Sequence, residues 1–228
     1  MAADAQCTDF EVASVRVPSA AVANRICHTW SFGVGDPDAR HVSSVRYGLP
    51  FAGKRGRHVC QAFGGKYSHH GKLHYSVDFD LPIGYQVRCC RSGWVAAVRN
   101  DSNKGGPSRK YASMANYVQV LHKDNTVGCY MHFQQNGVTA TVGKPVKRGQ
   151  VLGFIGMTGF TSRPHVHFHV KKNGDYHAGT EWATVPFVFK SKTREGLVVK
   201  TGCWYRNDES GLAVKTGTMQ KAVAVKKK

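Results

Sequence analysis

From Tyr47 onward the chain is written in short runs of β-branched and aromatic residues, each cut off by Gly, Pro, Ser or Asn. HYSVDFDLP, YQVRCC, GWVAAVRN, NYVQVLH, TVGCYMHF and PHVHFHVKKNG are such runs, and each reads as a strand. Sustained helical periodicity is absent, apart from a weak candidate around residues 18–26. NYVQVLH and TVGCYMHF are joined by Lys123-Asp124-Asn125 and predict a hairpin. VKRGQVLGFIGMTG alternates glycine with apolar residues, as a curved strand beside a turn does. The polar stretch NDSNKGGPSRKYASM predicts a long surface loop. With 25 glycines and 41% hydrophobic residues in 228, the chain has the composition of a folded, loop-rich β protein.

Three regions follow. Residues 1–45, with FEVASVRV and the turn GVGDPD, are read as a strand-rich extension packed on the main domain. Residues 46–190 form the main domain. Residues 191–228 are read as a C-terminal extension; strand-like VPFVF and LVVKTG runs precede a basic tail, KAVAVKKK.

Charge and cysteine content narrow the setting. Thirty-two Lys and Arg against 14 Asp and Glu leave +18, an excess that favours polyanionic partners, either nucleic acid or an anionic cell envelope. No zinc-finger spacing, RNP-like motif or recognition-helix pattern supports specific nucleic-acid binding. No apolar stretch approaches the roughly 20 residues that span a bilayer. MAADAQCTDF lacks the basic start and apolar run of a secretory leader. Cysteines at 7, 27, 60, 89, 90, 129 and 203 form no CxxC pair, which argues against a thiolate zinc site. Their abundance favours an oxidising, secreted or cell-envelope setting, and their odd number leaves at least one unpaired. Cys89 and Cys90, adjacent on an expected strand, should face opposite ways.

The chemistry is concentrated in three of the runs. His74 and Asp78 lie four apart in HYSVD, His132 ends YMH, and His165 and His167 bracket Val166. Side chains two or four apart on a strand share a face, so both pairs are expected to converge. Two histidines and a carboxylate with one position left open are the usual protein ligands of a catalytic zinc. Further histidines then serve proton transfer near neutral pH. His69, His70 and His169 lie nearby and are read as edge residues, salt-bridge partners or outer hydrogen-bonding residues. Asp80 is read in the same way.

The order of these elements resembles the lysostaphin-type, LytM-like zinc metallopeptidases. That family's H-x-x-x-D, Y-x-H, G-Q-x-x-G and P-H-x-H-F elements correspond to His74–Asp78, Tyr130–His132, Gly149–Gly153 and Pro164–Phe168. The resemblance covers roughly residues 46–175. It implies a mainly β, antiparallel-sheet domain with a groove floored by the sheet and walled by loops near 100–114 and 158–164. It makes His74, Asp78 and His167 the ligands of one Zn²⁺ per chain, and His132 and His165 the catalytic histidines. Tyr67 is the best match to a tyrosine that faces substrate or the oxyanion. Arg163 stands where the family commonly has glycine, a change that bears on specificity. The implied activity is hydrolysis of peptide bonds in the crosslinks or stems of bacterial peptidoglycan, with anionic wall polymers as a further partner. The alternative is a noncatalytic wall-binding or regulatory module on the same fold. Oligomeric state and the bond cleaved are not legible in the sequence.

Overall fold

A computed structural model of the chain describes residues 41–173 and 182–218. The expected N-terminal strands, the helical candidate at 18–26 and the tail KAVAVKKK lie outside the described residues. Strands β1 to β5 are Arg46–Tyr47, Arg57–Gln61, Ser76–Asp80, Gln86–Arg88 and Gly93–Arg99. Strands β6 to β10 are Gly105–Gly106, Asn116–Leu121, Val127–Val138, Pro145–Val146 and Val151–Ile155. Strands β11 to β16 are Gly159–Phe160, His165–Asn173, Trp182–Thr184, Val188–Phe189, Cys203–Asn207 and Ala213–Thr218.

Twelve strands form one sheet along the path β16-β15-β2-β3-β12-β8-β7-β5-β9, with β10 on β8, β4 on β10, and β13 on β12. The pairings within it are antiparallel. The expected hairpin is β7–β8. Strand β12 is central, between β3 and β8, so both of its edges are hydrogen-bonded. One face sends Val166, Phe168 and Val170 into the core beside Val77 and Phe79 of β3. Phe168 meets Tyr47, Tyr130 and Phe187 with ring centroids 6.0, 4.9 and 5.1 Å away. Burying a side chain of this size stabilises the fold by about 1.5–3 kcal/mol. The other face of β12 carries His165, His167 and His169, all buried. Their partners across β3 are Asp80, Asp78 and Ser76 in antiparallel register.

Several expectations need correction. LVVKTG supplies no strand; Leu197 makes one isolated bridge to Phe189, and the strands beyond residue 190 are β15 and β16. The stretch expected as a plain loop near 100–114 holds β6 and the 3-10 helix Arg109–Met114. Cys89 and Cys90 lie just past β4 rather than on it, and both are buried. Cys60, Cys89, Cys90, Cys129 and Cys203 are free thiols, so the secretion argument from cysteine abundance gains no disulfide among the described residues.

Candidate active site

The sheet register brings three metal-ligating side chains to one point: Asp78 from β3, His167 from β12, and His69 from the turn between β2 and β3. His167 Nδ1 lies 2.9 Å from Asp78 Oδ1. His69 Nε2 lies 3.1 Å from Asp78 Oδ2 and 3.3 Å from His167 Nδ1. Ligands at about 2.0–2.2 Å around a tetrahedral zinc stand roughly 3.3–3.6 Å from one another. Two imidazoles and one carboxylate spaced this way fit a zinc ion after small outward shifts.

The surrounding hydrogen bonds aim these atoms. His69 Nδ1 donates to the Ala62 carbonyl at 3.0 Å, which leaves Nε2 with its lone pair toward Asp78 and His167. Gln61 Nε2 donates to Asp78 Oδ2 at 3.0 Å, while Gln61 Oε1 accepts from the backbone N–H groups of Tyr67 and Ser68. One glutamine thus ties the carboxylate to the turn that presents His69. On the far side, His167 Nε2 meets His169 Nδ1 at 3.0 Å, and His169 stacks on Trp182 with ring centroids 5.9 Å apart. Such outer partners fix the orientation of a metal-ligating imidazole. Burial alone would raise the Asp78 carboxyl, but the facing His165 and His167, with hydrogen bonds from His167 and His69, hold it well below the usual carboxylate range. Burial lowers His167, against the pull of Asp78, so its ring favours the neutral, metal-binding form.

His74, the expected first ligand, is not part of this trio. Gly71–Leu73 coil as a 3-10 helix with His74 as its C-cap, and β3 begins only at Ser76. His74 and Asp78 therefore do not share a strand, and face parity does not connect them. His74 is exposed, its ring edge-on to Tyr75 with centroids 4.7 Å apart. His69 stands in the trio instead, fully buried. The sequence clue was the HH dipeptide within SHHG, whose turn folds one histidine inward.

His132 reaches the site through an irregularity in β8. Phe133 pairs with Asn116 and Met131 with Tyr117, so His132 is the extra residue of a β-bulge. Its φ of 72° is left-handed, a conformation that a non-glycine residue seldom holds. The bulge breaks the two-residue alternation. Met131 and His132 both line the groove, and Phe133 returns to the core. His132 Nδ1 donates to the Thr158 carbonyl at 2.7 Å, and His165 Nδ1 donates to the Arg163 carbonyl at 2.8 Å. Each ring is thereby held with Nε2 free to accept a proton. The two rings are 4.5 Å apart, and His165 Nε2 is 3.7 Å from Asp78 Oδ1. Burial first, and then His165 and His167, push His132 down to about 3.

These groups open into a groove of about 410 Å³, lined also by Gln61, Ala112, Thr161 and Arg163. Tyr67 stands in its wall, 54% exposed and stacked on Phe160 at 5.4 Å between centroids. Ala112 on one side and Phe160 to Arg163 on the other come from the two expected wall segments.

Residues 72–178 match the model of peptidase family M23. That stretch contains His74, Asp78, His132, His165 and His167, and begins after His69. Over 119 residues, 52% of this chain, the sequence is 33% identical to lysostaphin of Staphylococcus simulans. It is 31% identical over 101 residues to the peptidoglycan DD-endopeptidase ShyA of Vibrio cholerae. The matches span 22% and 21% of those relatives' lengths. The catalytic domain of the prophage-encoded M23 protein EnpA from Enterococcus faecalis is 25% identical, covers 60% of this chain and 94% of its own, and aligns with a TM-score of 0.43. Together with the antiparallel sheet, the match to the family model places residues 72–178 in peptidase family M23.

Proposed function

We propose that this protein is a zinc-dependent endopeptidase that hydrolyses peptide bonds in the crosslinks or stems of bacterial peptidoglycan, acting at the cell envelope. The observation that carries the reading is the joint geometry of the site. A buried His/Asp/His trio lies beside two further histidines whose Nδ1–H groups are tied back, so that both Nε2 atoms are free. One zinc ion per chain would be held by Asp78, His167 and a histidine of the 69–74 segment. His69 is the one whose geometry fits. His74 is the second candidate, favoured by its four-residue spacing from Asp78 and by its place within the family match. When bound, zinc supplies Lewis acidity toward a peptide carbonyl and lowers the pKa of a water to about 7.

The chain's own residues would do the rest. His165, beside Asp78, accepts the proton of the attacking water at Nε2. His165 then returns that proton to the departing amine, while His132, across a 4.5 Å ring separation, accepts a hydrogen bond from the attacking water at Nε2 and orients it. Depression of its pKa keeps His132 neutral near pH 7, so that its Nε2 serves as a hydrogen-bond acceptor. Tyr67 would pack along the substrate in the groove wall, with its hydroxyl toward the oxyanion. The +18 charge draws the protein to anionic wall polymers.

The test is incubation of zinc-loaded protein with purified sacculi, followed by mass spectrometry of soluble fragments. New amine and carboxyl ends are expected; chelation abolishes their release and zinc restores it. Binding to sacculi without fragment release would assign the noncatalytic module instead.

A further inference from the structure

Arg163 is the one Lys or Arg among the described residues that line the groove. Its backbone is fastened to the proposed catalytic machinery. The Arg163 carbonyl accepts from His165 Nδ1 at 2.8 Å and from the Thr161 hydroxyl at 2.6 Å. The side chain is anchored as well. Nη1 lies 3.1 Å from Asp80 Oδ2 and 3.4 Å from Oδ1, and Asp80 is held from behind by His58 Nδ1 at 2.8 Å. Only Nη1 is used in these contacts. Nε and Nη2, the two donors on the side edge of the guanidinium, have no hydrogen-bond partner among the described residues, and the side chain is 55% exposed. An anchored guanidinium with a free two-donor edge matches the planar geometry of a carboxylate. Because Asp80 already restricts the rotamers, little further ordering is needed when a ligand arrives. The remaining lining side chains are apolar, hydroxyl, amide, thiol or imidazole groups, together with Asp78, which the metal would occupy.

We propose that Arg163 is a specificity residue that reads a free carboxylate on the substrate peptide, so that the groove favours a stem or crosslink bearing an unamidated acid near the scissile bond. The inference rests on the endopeptidase reading for its substrate class. The hydrogen-bonding site itself does not depend on turnover.

The experiment uses the full zinc-loaded chain and purified crosslinked muropeptides prepared in pairs, each carrying a given carboxylate either free or as its amide. Wild type should cleave the free acid of one pair with kcat/KM higher by about tenfold or more, the worth of a hydrogen bond to a charged group. In Arg163→Gln the ratio should fall to about one, and Arg163→Lys should keep part of it, since a point charge replaces the fork. Calorimetric binding of the same peptides to both proteins gives a readout without catalysis, and zinc content checks that the variant keeps its site. A preference unchanged in Arg163→Gln, or equal binding of acid and amide by wild type, overturns the proposal. Carboxylate-dependent binding through Arg163 with no cleavage of any peptide would leave the proposal standing and sink the endopeptidase reading.

Discussion

Two substitutions decide which histidine completes the metal-ligating trio with Asp78 and His167. His69→Ala removes a fully buried ring, one of the three donors in the trio, and the hydrogen bond to the Ala62 carbonyl. In zinc-free protein this should cost about 1–3 kcal/mol. His74→Ala removes an exposed ring and should stay within about 0.5 kcal/mol. Zinc adds the discriminating difference. At a free zinc concentration about 100 times the wild-type Kd, binding stabilises the native state by about 2.7 kcal/mol. Loss of an outer partner already weakens a metal site about 10–100-fold, so loss of a ligand should weaken it at least about 100-fold. At the same zinc concentration the His69→Ala site then gains only about 0.4 kcal/mol. The zinc-induced rise in Tm should shrink by about 5–9 °C for a domain of this size, whereas His74→Ala keeps the full rise. Thermal melts with and without zinc, backed by metal analysis after equilibrium dialysis, measure both quantities. The reverse pattern, with zinc lost in His74→Ala and retained in His69→Ala, would refute the reasoning. It would mean that Gly71–Leu73 unwinds on metal binding and lets His74 extend β3 toward Asp78.

Three further outcomes are expected. His132→Ala should lower kcat by about 10²–10⁴-fold while zinc content stays near one per chain, read by steady-state kinetics and metal analysis; loss of zinc would make His132 a ligand. Zinc-free protein should lose stability as pH falls from about 6.5 toward 3. Burial and neighbouring histidines hold His132 near 3, and burial lowers His167 and His169, so the unfolded chain protonates first. Asp78 acts in the same direction: its contribution is present above its unfolded pKa and is lost as pH falls through the lower folded one. Denaturant titrations across that window check the sign, and a stability independent of pH would contradict the burial of these rings. Gly105→Ala should destabilise by about 1–3 kcal/mol, because its new Cβ would meet the Met157 carbonyl across the β6–β11 pair. The same shift displaces Thr158, whose carbonyl holds His132, so kcat should fall further than KM rises.

What could be read beforehand follows from which rules are local. Strand identity was legible because β-branched runs and Gly/Pro stops act over a few residues. The parity of β12 was legible for the same reason: Val166 and Phe168 face the core, and His165 and His167 face the groove. Asp78 shares that face because β3 has the same alternation and pairs in register. Two site features depend on departures from alternation. Gly71 has a φ of 56°, a conformation glycine adopts freely, and the turn that follows takes His74 off the strand. His132 lies where one extra residue interrupts β8, and no residue type in CYMHFQ announces a bulge. The bulge is held from elsewhere. Gly156 N–H donates to the His132 carbonyl at 2.8 Å, and the Thr158 carbonyl accepts from the ring Nδ1–H. The Thr158 hydroxyl donates to the Phe133 carbonyl at 2.7 Å. A left-handed histidine is disfavoured locally and persists only where its surroundings over-determine it. Here the Gly156–Thr158 segment supplies those surroundings, about 25 residues along the chain from the histidine it holds. The position of His132 is thus a tertiary property of β8 together with the turn after β10, and strand periodicity alone has no access to it.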